Sequence, residues 1–355
     1  MWMSTTTDSI RGHRSILEML DRALSRSRLP HALLFSGAAG IGKKRVALHL
    51  AQCLFCLQTP ADELSCCRTC DSCKQMAAGT HPDLISIECP PDKNILPLSL
   101  IIGDDDHRGR EGVCYEMSLR PMVGDRRIAI IDDADKMNAE SANALLKTLE
   151  EPSANYLMIL IASELDAILP TIRSRCQLIR FNQLTQEDVA ALLMDQQLVE
   201  SEEQAIEIAR LSAGSLNIAS QLLDENLQSL RGNITRLLGR HPFQPQAFSE
   251  SVIQAIDDVG GNTAALRKTA LWVVKFCADF YHQSLQCAAA YQAAPAAGNV
   301  ESFVAGLPGE TEDRIETIGN LLSRMLQTEE QINQNVTLPL CIESLSQDLR
   351  EIQTK

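Results

Sequence analysis

The chain has 355 residues, a formal net charge of −14 from 32 Lys and Arg against 46 Asp and Glu, and only 4% aromatic residues. That length exceeds what one hydrophobic core usually serves, so two or three domains are expected, helix-rich and built on Leu, Ile, Ala and Val. The acidic balance argues against a free-standing nucleic-acid-coating protein, which needs clustered Lys and Arg along the strand.

No basic stretch followed by a long apolar run opens the sequence, and no run of about 20 apolar residues occurs anywhere. A cytoplasmic protein with no membrane segment is expected. Six of the twelve cysteines fall between Cys53 and Cys73. Clustered, short-spaced cysteines in such a protein indicate metal binding and not disulfides.

In chain order, Leu17 to Ala23 belongs to an amphipathic helix. His31-Ala-Leu-Leu-Phe-Ser36 is an apolar strand that runs straight into Gly37-Ala-Ala-Gly-Ile-Gly-Lys-Lys44, and Val46 to Cys56 is helical behind it. Strand, glycine loop, helix is the context of a phosphate cradle: Gly37, Gly40 and Gly42 let the backbone turn its N–H groups toward phosphates, and Lys43 reaches the terminal ones. The next position ordinarily carries a Ser or Thr hydroxyl that ligates magnesium. Lys44 stands there instead and cannot ligate a cation, which separates binding of ATP or ADP from hydrolysis.

Cys67-Arg-Thr-Cys70-Asp-Ser-Cys73 offers three thiolates at two-residue gaps, and Cys56 at the end of the preceding helix can complete a tetrahedron. Four thiolates favour zinc, and a closed set of this kind is structural. Cys53, one helical turn before Cys56, and Cys66, beside Cys67, are alternative fourth ligands. The plain alternative is a set of reduced loop cysteines. Ile101 to Glu111, with Asp104, Asp105 and Asp106 in series, reads as an exposed loop, the other reading being a partner-contacting insertion.

Arg127-Ile-Ala-Ile-Ile-Asp132 is a buried strand ending in acids, and Leu157 to Ala162 is another. A helix from about Ala139 to Glu150, ended by Pro152, separates them. Strands alternating with helices imply a parallel sheet. Asp132 is placed to hold a magnesium shell, and Asp133 stands where a longer Glu would polarise the attacking water. A carboxylate one methylene shorter lies farther from that water than a general base should. An exposed acidic turn is the plain alternative. Ser163 either senses a terminal phosphate or caps a turn.

Thr171-Ile-Arg173-Ser-Arg175-Cys176 presents two arginines after Pro170, either a surface ion pair or groups offered across an interface. From Thr185 the strands stop. Two or three short helices run from about Gln186 to Leu238, and Gly239 to Pro245 reads as a linker. Apolar periodicity then marks helices around Ala264 to Phe280, Glu312 to Leu326 and Leu338 to Ile352.

The order glycine loop, cysteine module, Asp132-Asp-Ala-Asp135, Asn143-Ala-Leu-Leu-Lys-Thr-Leu-Glu-Glu-Pro152 and Ile172-Arg-Ser-Arg-Cys176 resembles the bacterial clamp-loader branch of the AAA+ family. The specific motifs span Ile10 to Phe181. The resemblance implies an α/β class chain of three parts: an AAA+ P-loop core, 1–182, with a parallel sheet and an inserted zinc module near 53–76; a small helical lid, 183–240; and a helical collar, 246–355, that holds a five-subunit ring. It further implies gamma or tau and delta subunits as partners, with sliding clamp and primed DNA engaged through the complex. Arg175 would be an arginine finger inserted into a neighbour's ATP site, and Cys56, Cys67, Cys70 and Cys73 match the family's zinc positions.

Asn217, where active loader ATPases have a phosphate-contacting arginine, carries no charge. With Lys44 it points to a stator with little or no ATPase of its own. The competing reading is an active gamma/tau-type ATPase working through Lys43, Asp132 and Asp133. A zinc-dependent nucleic-acid binder fits poorly with the acidic balance and the lack of aromatic residues interleaved with basic ones.

Overall fold

A computed structural model describes residues 10–90, 93–151, 155–260, 263–289, 298–334 and 336–354. The chain divides into two compact units between Ser220 and Gln221.

The first unit runs α1 (Arg14–Ser25), β1 (Ala32–Ser36), α2 (Lys43–Phe55), α3 (Asp71–Ala78), β2 (Leu84–Ile87), α4 (Leu98–Ile102), α5 (Val113–Glu116), β3 (Arg127–Ile131), α6 (Ala139–Glu150), β4 (Tyr156–Ala162), α7 (Pro170–Arg173), β5 (Gln177–Arg180), α8 (Gln186–Asp195) and α9 (Glu202–Leu211), with α10 (Leu216–Gln221) ending at the divide. The five strands form one parallel sheet in the order β2-β3-β4-β1-β5. β4 lies between the strand that enters the glycine loop and the strand that ends in the acids.

Strand side chains alternate between faces, and here both faces are covered. Leu33 and Phe35, Ile128 and Ile130, and Leu157, Ile159 and Ile161 join α1 and α2 in one core. Ala32 and Leu34, Ala129 and Ile131, and Met158 and Leu160 join α6, with Ile101 of α4 and Ile172 of α7, in the other. This double burial is why the strands read as unbroken apolar runs and not as alternating ones. Two of the helices, α6 and α8, start where polar caps supply acceptors: the Asn138 side chain accepts from the Ser141 N–H at 2.8 Å, and the Thr185 hydroxyl accepts from the Asp188 N–H at 3.1 Å.

The second unit contains α11 (Glu225–Leu238), α12 (Pro245–Val259), α13 (Thr263–Ala289), α14 (Gly298–Gly306), α15 (Thr311–Asn333) and α16 (Leu338–Thr354). The long α13 packs on α15, α11, α14 and α12, and α16 packs on α12 and α15. Phe280 and Tyr281 of α13 meet Phe303 of α14 at ring distances of 5.3 and 5.6 Å. Arg324, buried within this unit, donates to Asp348 and to the Thr328 hydroxyl, both at 2.7 Å.

The α/β class and parallel sheet expected from sequence are present, as are the helices around 139–150, 263–289, 311–333 and 338–354. Four helices, α8 to α11, occupy the stretch where two or three were expected. Sequence reading missed the strands β2 and β5 and the helices α3, α4, α5, α7, α12 and α14. The segment 183–240 straddles the divide, with α8 and α9 in the first unit and α11 in the second. Pro152 lies outside the described residues. Ile101 is buried at the end of a helix, whereas residues 106–111 are exposed. Among the described residues no helix is long and apolar enough to cross a membrane.

Ile159 is fully buried at the centre of the sheet, so Ile159→Ala leaves a cavity that no neighbour can fill. It should cost about 2–5 kcal/mol in denaturant unfolding of the first unit.

Candidate functional site

The glycine loop sits at the C-terminal end of β1, where parallel α/β sheets place their ligands. Its carbonyls all face protein. Lys43 Nζ donates to Gly37 O at 2.5 Å and Ala38 O at 2.7 Å, the Ser215 hydroxyl donates to Ala39 O at 2.9 Å, Leu216 N–H donates to Gly40 O at 3.0 Å, and His13 Nε2 lies 2.6 Å from Ile41 O. Five consecutive carbonyls are thereby held inward, which fixes the loop's orientation. Burial pushes the Lys43 ammonium below its ordinary pKa, against the pull of Asp132, Asp135 and Asp133.

Gly40, at φ +76°, needs glycine for two reasons: its backbone is left-handed, and an added Cβ would lie 2.7 Å from Asn217 Cβ. Gly42 caps α2 at φ +99°, and an added Cβ would meet only the His13 ring at an ordinary 3.8 Å, so its requirement is conformational alone. The Gly37 Cβ would lie 2.5 Å from the Phe181 carbonyl oxygen. Loop backbone, helix N-terminus and Lys43 together fit a nucleotide's phosphates.

Magnesium does not fit. The Lys44 ammonium pairs with Glu88, which follows β2, and lies 3.5 Å from Asp132 Oδ2 at the end of β3. It meets the carboxylate that would hold the metal's water shell. Burial raises the Asp132 pKa, while Lys44 and the Asp133 N–H pull the other way. Asp133 is held in a left-handed conformation at φ +53°, and its carboxylate pairs with Lys136 at 3.2 Å. The side chain expected to polarise water is thus engaged with a lysine. Ser163 is exposed just past β4, and Asn217 is exposed at the start of α10. Glu88 carried no sequence signal, because only the pairing of β2 with β3 brings it to the acids.

Arg175 lies at the opposite edge of the sheet. Leu33 of β1 pairs with Gln177 of β5, which sets Arg175 level with His31, before β1 begins. Arg175, Ser174, His31, Leu149 and Glu150 line a shallow depression of about 450 Å³. Its guanidinium pairs with Glu150 and donates to Thr171 O at 2.9 Å, while Arg173 pairs with Asp166 at 3.5 Å. β1 spans five residues, roughly 15 Å of strand. Arg175 is therefore on the far side of the sheet from its own glycine loop.

Cys56, Cys67, Cys70 and Cys73 converge, with all four sulfurs within 4.8 Å of one another. Each sulfur before the last accepts a backbone N–H: Cys56 from Cys67 at 3.3 Å, Cys67 from Cys70 at 3.3 Å, and Cys70 from Cys73 at 3.4 Å. These bonds stabilise thiolates. Burial opposes ionisation of Cys56, yet the N–H groups of Cys67, Gln58 and Thr59 and the Thr59 hydroxyl bring its pKa down to about 5. Burial pushes the Cys73 thiol up instead. Four converging thiols fit zinc closed off from chemistry. Cys53 and Cys66 fall outside this set, in a second group with His49.

Replacing Cys70 with Ser should abolish stoichiometric zinc in metal analysis and lower the melting temperature, since structural zinc contributes on the order of 10 kcal/mol to folding small modules. Bound zinc undiminished in this variant would overturn the ligand set.

Residues 12–185 match the family model described as DNA polymerase III, delta subunit. The chain is 32% identical over 209 residues to the DNA polymerase III subunit delta' of Bacillus subtilis, covering 59% of this chain and 57% of that protein. It is 39% identical over 151 residues to the subunit delta' of Pseudomonas aeruginosa, 42% of this chain and 43% of that one. Against the subunit gamma/tau of Mycoplasma genitalium it is 31% identical over 218 residues, 60% of this chain and 34% of the relative. The chain thus spans about half the length of the two delta' relatives it matches. Its glycine loop, acid-tipped strand and Arg173-Ser-Arg175 segment all lie within the residues that this model matches, and the chain is similar over about half its length to DNA polymerase III delta' subunits.

Proposed function

We infer that the protein serves DNA replication as the stator of a clamp loader, a ring subunit that does not hydrolyse ATP itself and supplies Arg175 to a neighbour's ATP site. The observation that carries this reading is the Lys44 ammonium between Glu88 and Asp132, where a hydrolysing subunit would need magnesium. Asp133 paired to Lys136 and the neutral Asn217 support it.

Arg175 cannot serve its own glycine loop from the far edge of the sheet, but it is well placed to serve another subunit's. At rest it pairs with half-exposed Glu150. A pair that open to solvent is worth at most about 1 kcal/mol, so a triphosphate can displace it. An arginine offered in this way stabilises the charge that spreads over the transferring phosphoryl group. The partners of this reading are gamma or tau and delta subunits in a five-membered ring, with the sliding clamp and primed DNA reached through the assembly in the cytoplasm. The division of labour is core at 1–182, lid at 183–240 and ring-holding collar at 246–355.

In this reading the glycine loop is retained for binding. ADP or ATP would lie along the loop backbone with Lys43 swung from its carbonyls onto the phosphates, and Lys44 would supply the positive charge. Affinity for ADP in wild type should be unchanged by chelating magnesium, whereas Lys44→Thr should make binding magnesium-dependent by about tenfold, or 1.4 kcal/mol, in calorimetric titration. A wild-type affinity that collapses on chelation would remove the Lys44 argument.

The deciding assay is ATP turnover by the chain alone and then mixed with gamma or tau, delta, clamp and primed DNA. No turnover alone is expected. In the mixture Arg175→Ala should lower DNA-stimulated turnover by a factor on the order of 10³ without loss of assembly. Robust turnover by the isolated chain that depends on Lys43 would instead establish a gamma/tau-type ATPase.

A further inference from the structure

We propose that His49, Cys53 and Cys66 form a second zinc site beside the four-thiolate one. Their donor atoms, one imidazole nitrogen and two sulfurs, all lie within 4.8 Å of one another, and Cys56, Cys67, Cys70 and Cys73 take no part in the set. The inference goes beyond the clamp-loader reading and does not depend on it.

The arrangement follows from two local facts. His49 and Cys53 are four residues apart on α2, so their side chains stack on one helix face. The chain then leaves the helix at Cys56 and returns through Cys67, whose N–H donates to the Cys56 sulfur. That return sets Cys66 against Cys53 as it sets Cys67 against Cys56, and two donor groups form side by side from one turn of chain.

His49 is 2% exposed and Cys53 1% exposed. Among the described residues the ring nitrogens of His49 have a single hydrogen-bonding neighbour, the Cys53 sulfur, at 3.6 Å from Nε2 and 4.0 Å from Nδ1. A buried imidazole ordinarily finds an oxygen partner. A weak sulfur contact leaves its nitrogen lone pair available, and the soft donors beside it select a metal such as zinc over harder cations.

Zinc bonds of about 2.0–2.3 Å require the three donors to draw together slightly. Cys66, beside the Cys53 thiol and partly buried, is the least enclosed of the three. Binding releases the two thiol protons to solvent, so one Zn²⁺ and two thiolates make a neutral centre. The Arg68 guanidinium stands within charge range of His49 and Cys53, so the neutral centre would have one cation beside it. Three protein ligands leave a fourth position for water.

The test uses the full-length chain reconstituted with excess zinc, desalted and analysed for metal and protein, with cobalt(II) titration as the optical probe. Two zinc ions per chain are expected in wild type. Cys66→Ser, at the least enclosed of the three positions, should hold one and keep the cobalt spectrum of a four-thiolate site, and His49→Gln should do the same. One zinc in wild type, or two retained in Cys66→Ser, would overturn the proposal. Cys70→Ser separates the two sites: one zinc should remain in that variant and be lost on adding Cys66→Ser, and a remaining zinc that survives Cys66→Ser would overturn the proposal.

Discussion

Everything in the first unit depends on a five-stranded parallel sheet whose three inner strands are buried on both faces. A parallel sheet cannot be built from hairpins, so each strand must be reached by a crossover, and the loops at its two edges acquire different roles. At the C-terminal edge gather the glycine loop, Glu88, Asp132 and Asp133. At the other edge, one strand length away, stands Arg175. The insertion of β4 between β1 and β3 keeps the loop and the acids apart by one strand width, close enough for the long Lys44 side chain to bridge. The separation of the glycine loop from Arg175 is thus a property of sheet direction before it is a property of any residue.

Within that frame one substitution redirects the chemistry. A hydroxyl at position 44 would bring a divalent cation to the acids; an ammonium is itself the cation. Asp132 retains a counter-charge, the loop retains its backbone, and what is lost is the ion that would draw β- and γ-phosphates together. The five inward-turned carbonyls and the close approach of Ser215 and Asn217 to Gly40 hold the loop in a binding-competent shape.

The cysteine-rich turn after α2 is a separate device. It hangs on the end of the helix that begins at the glycine loop, so a metal that fixes Cys56 against Cys67, Cys70 and Cys73 also fixes the C-terminal end of α2. Backbone N–H groups already point at three of the four sulfurs. The polypeptide has therefore made much of the site before metal arrives, and the ordering cost of binding is correspondingly small.

The sequence by itself determined the α/β class, the strand–loop–helix at residues 32–55, the acid-tipped strand and the four-cysteine set, because each is carried by residues near one another in the chain and by periodicities that local geometry imposes. Short edge strands such as Leu84–Ile87 and Gln177–Arg180 were not legible, since four residues give too little periodicity to tell a strand from a loop. Only the tertiary structure decided that Glu88 joins Lys44 and Asp132, that Arg175 faces Glu150 across from the glycine loop, and that Cys53 and Cys66 turn away from the zinc set toward His49. Those outcomes rest on strand order, register and the path of one loop. They are fixed by contacts between residues some 40 or more positions apart at the acids, and by the direction of the return chain at the cysteines, and no local pattern encodes either.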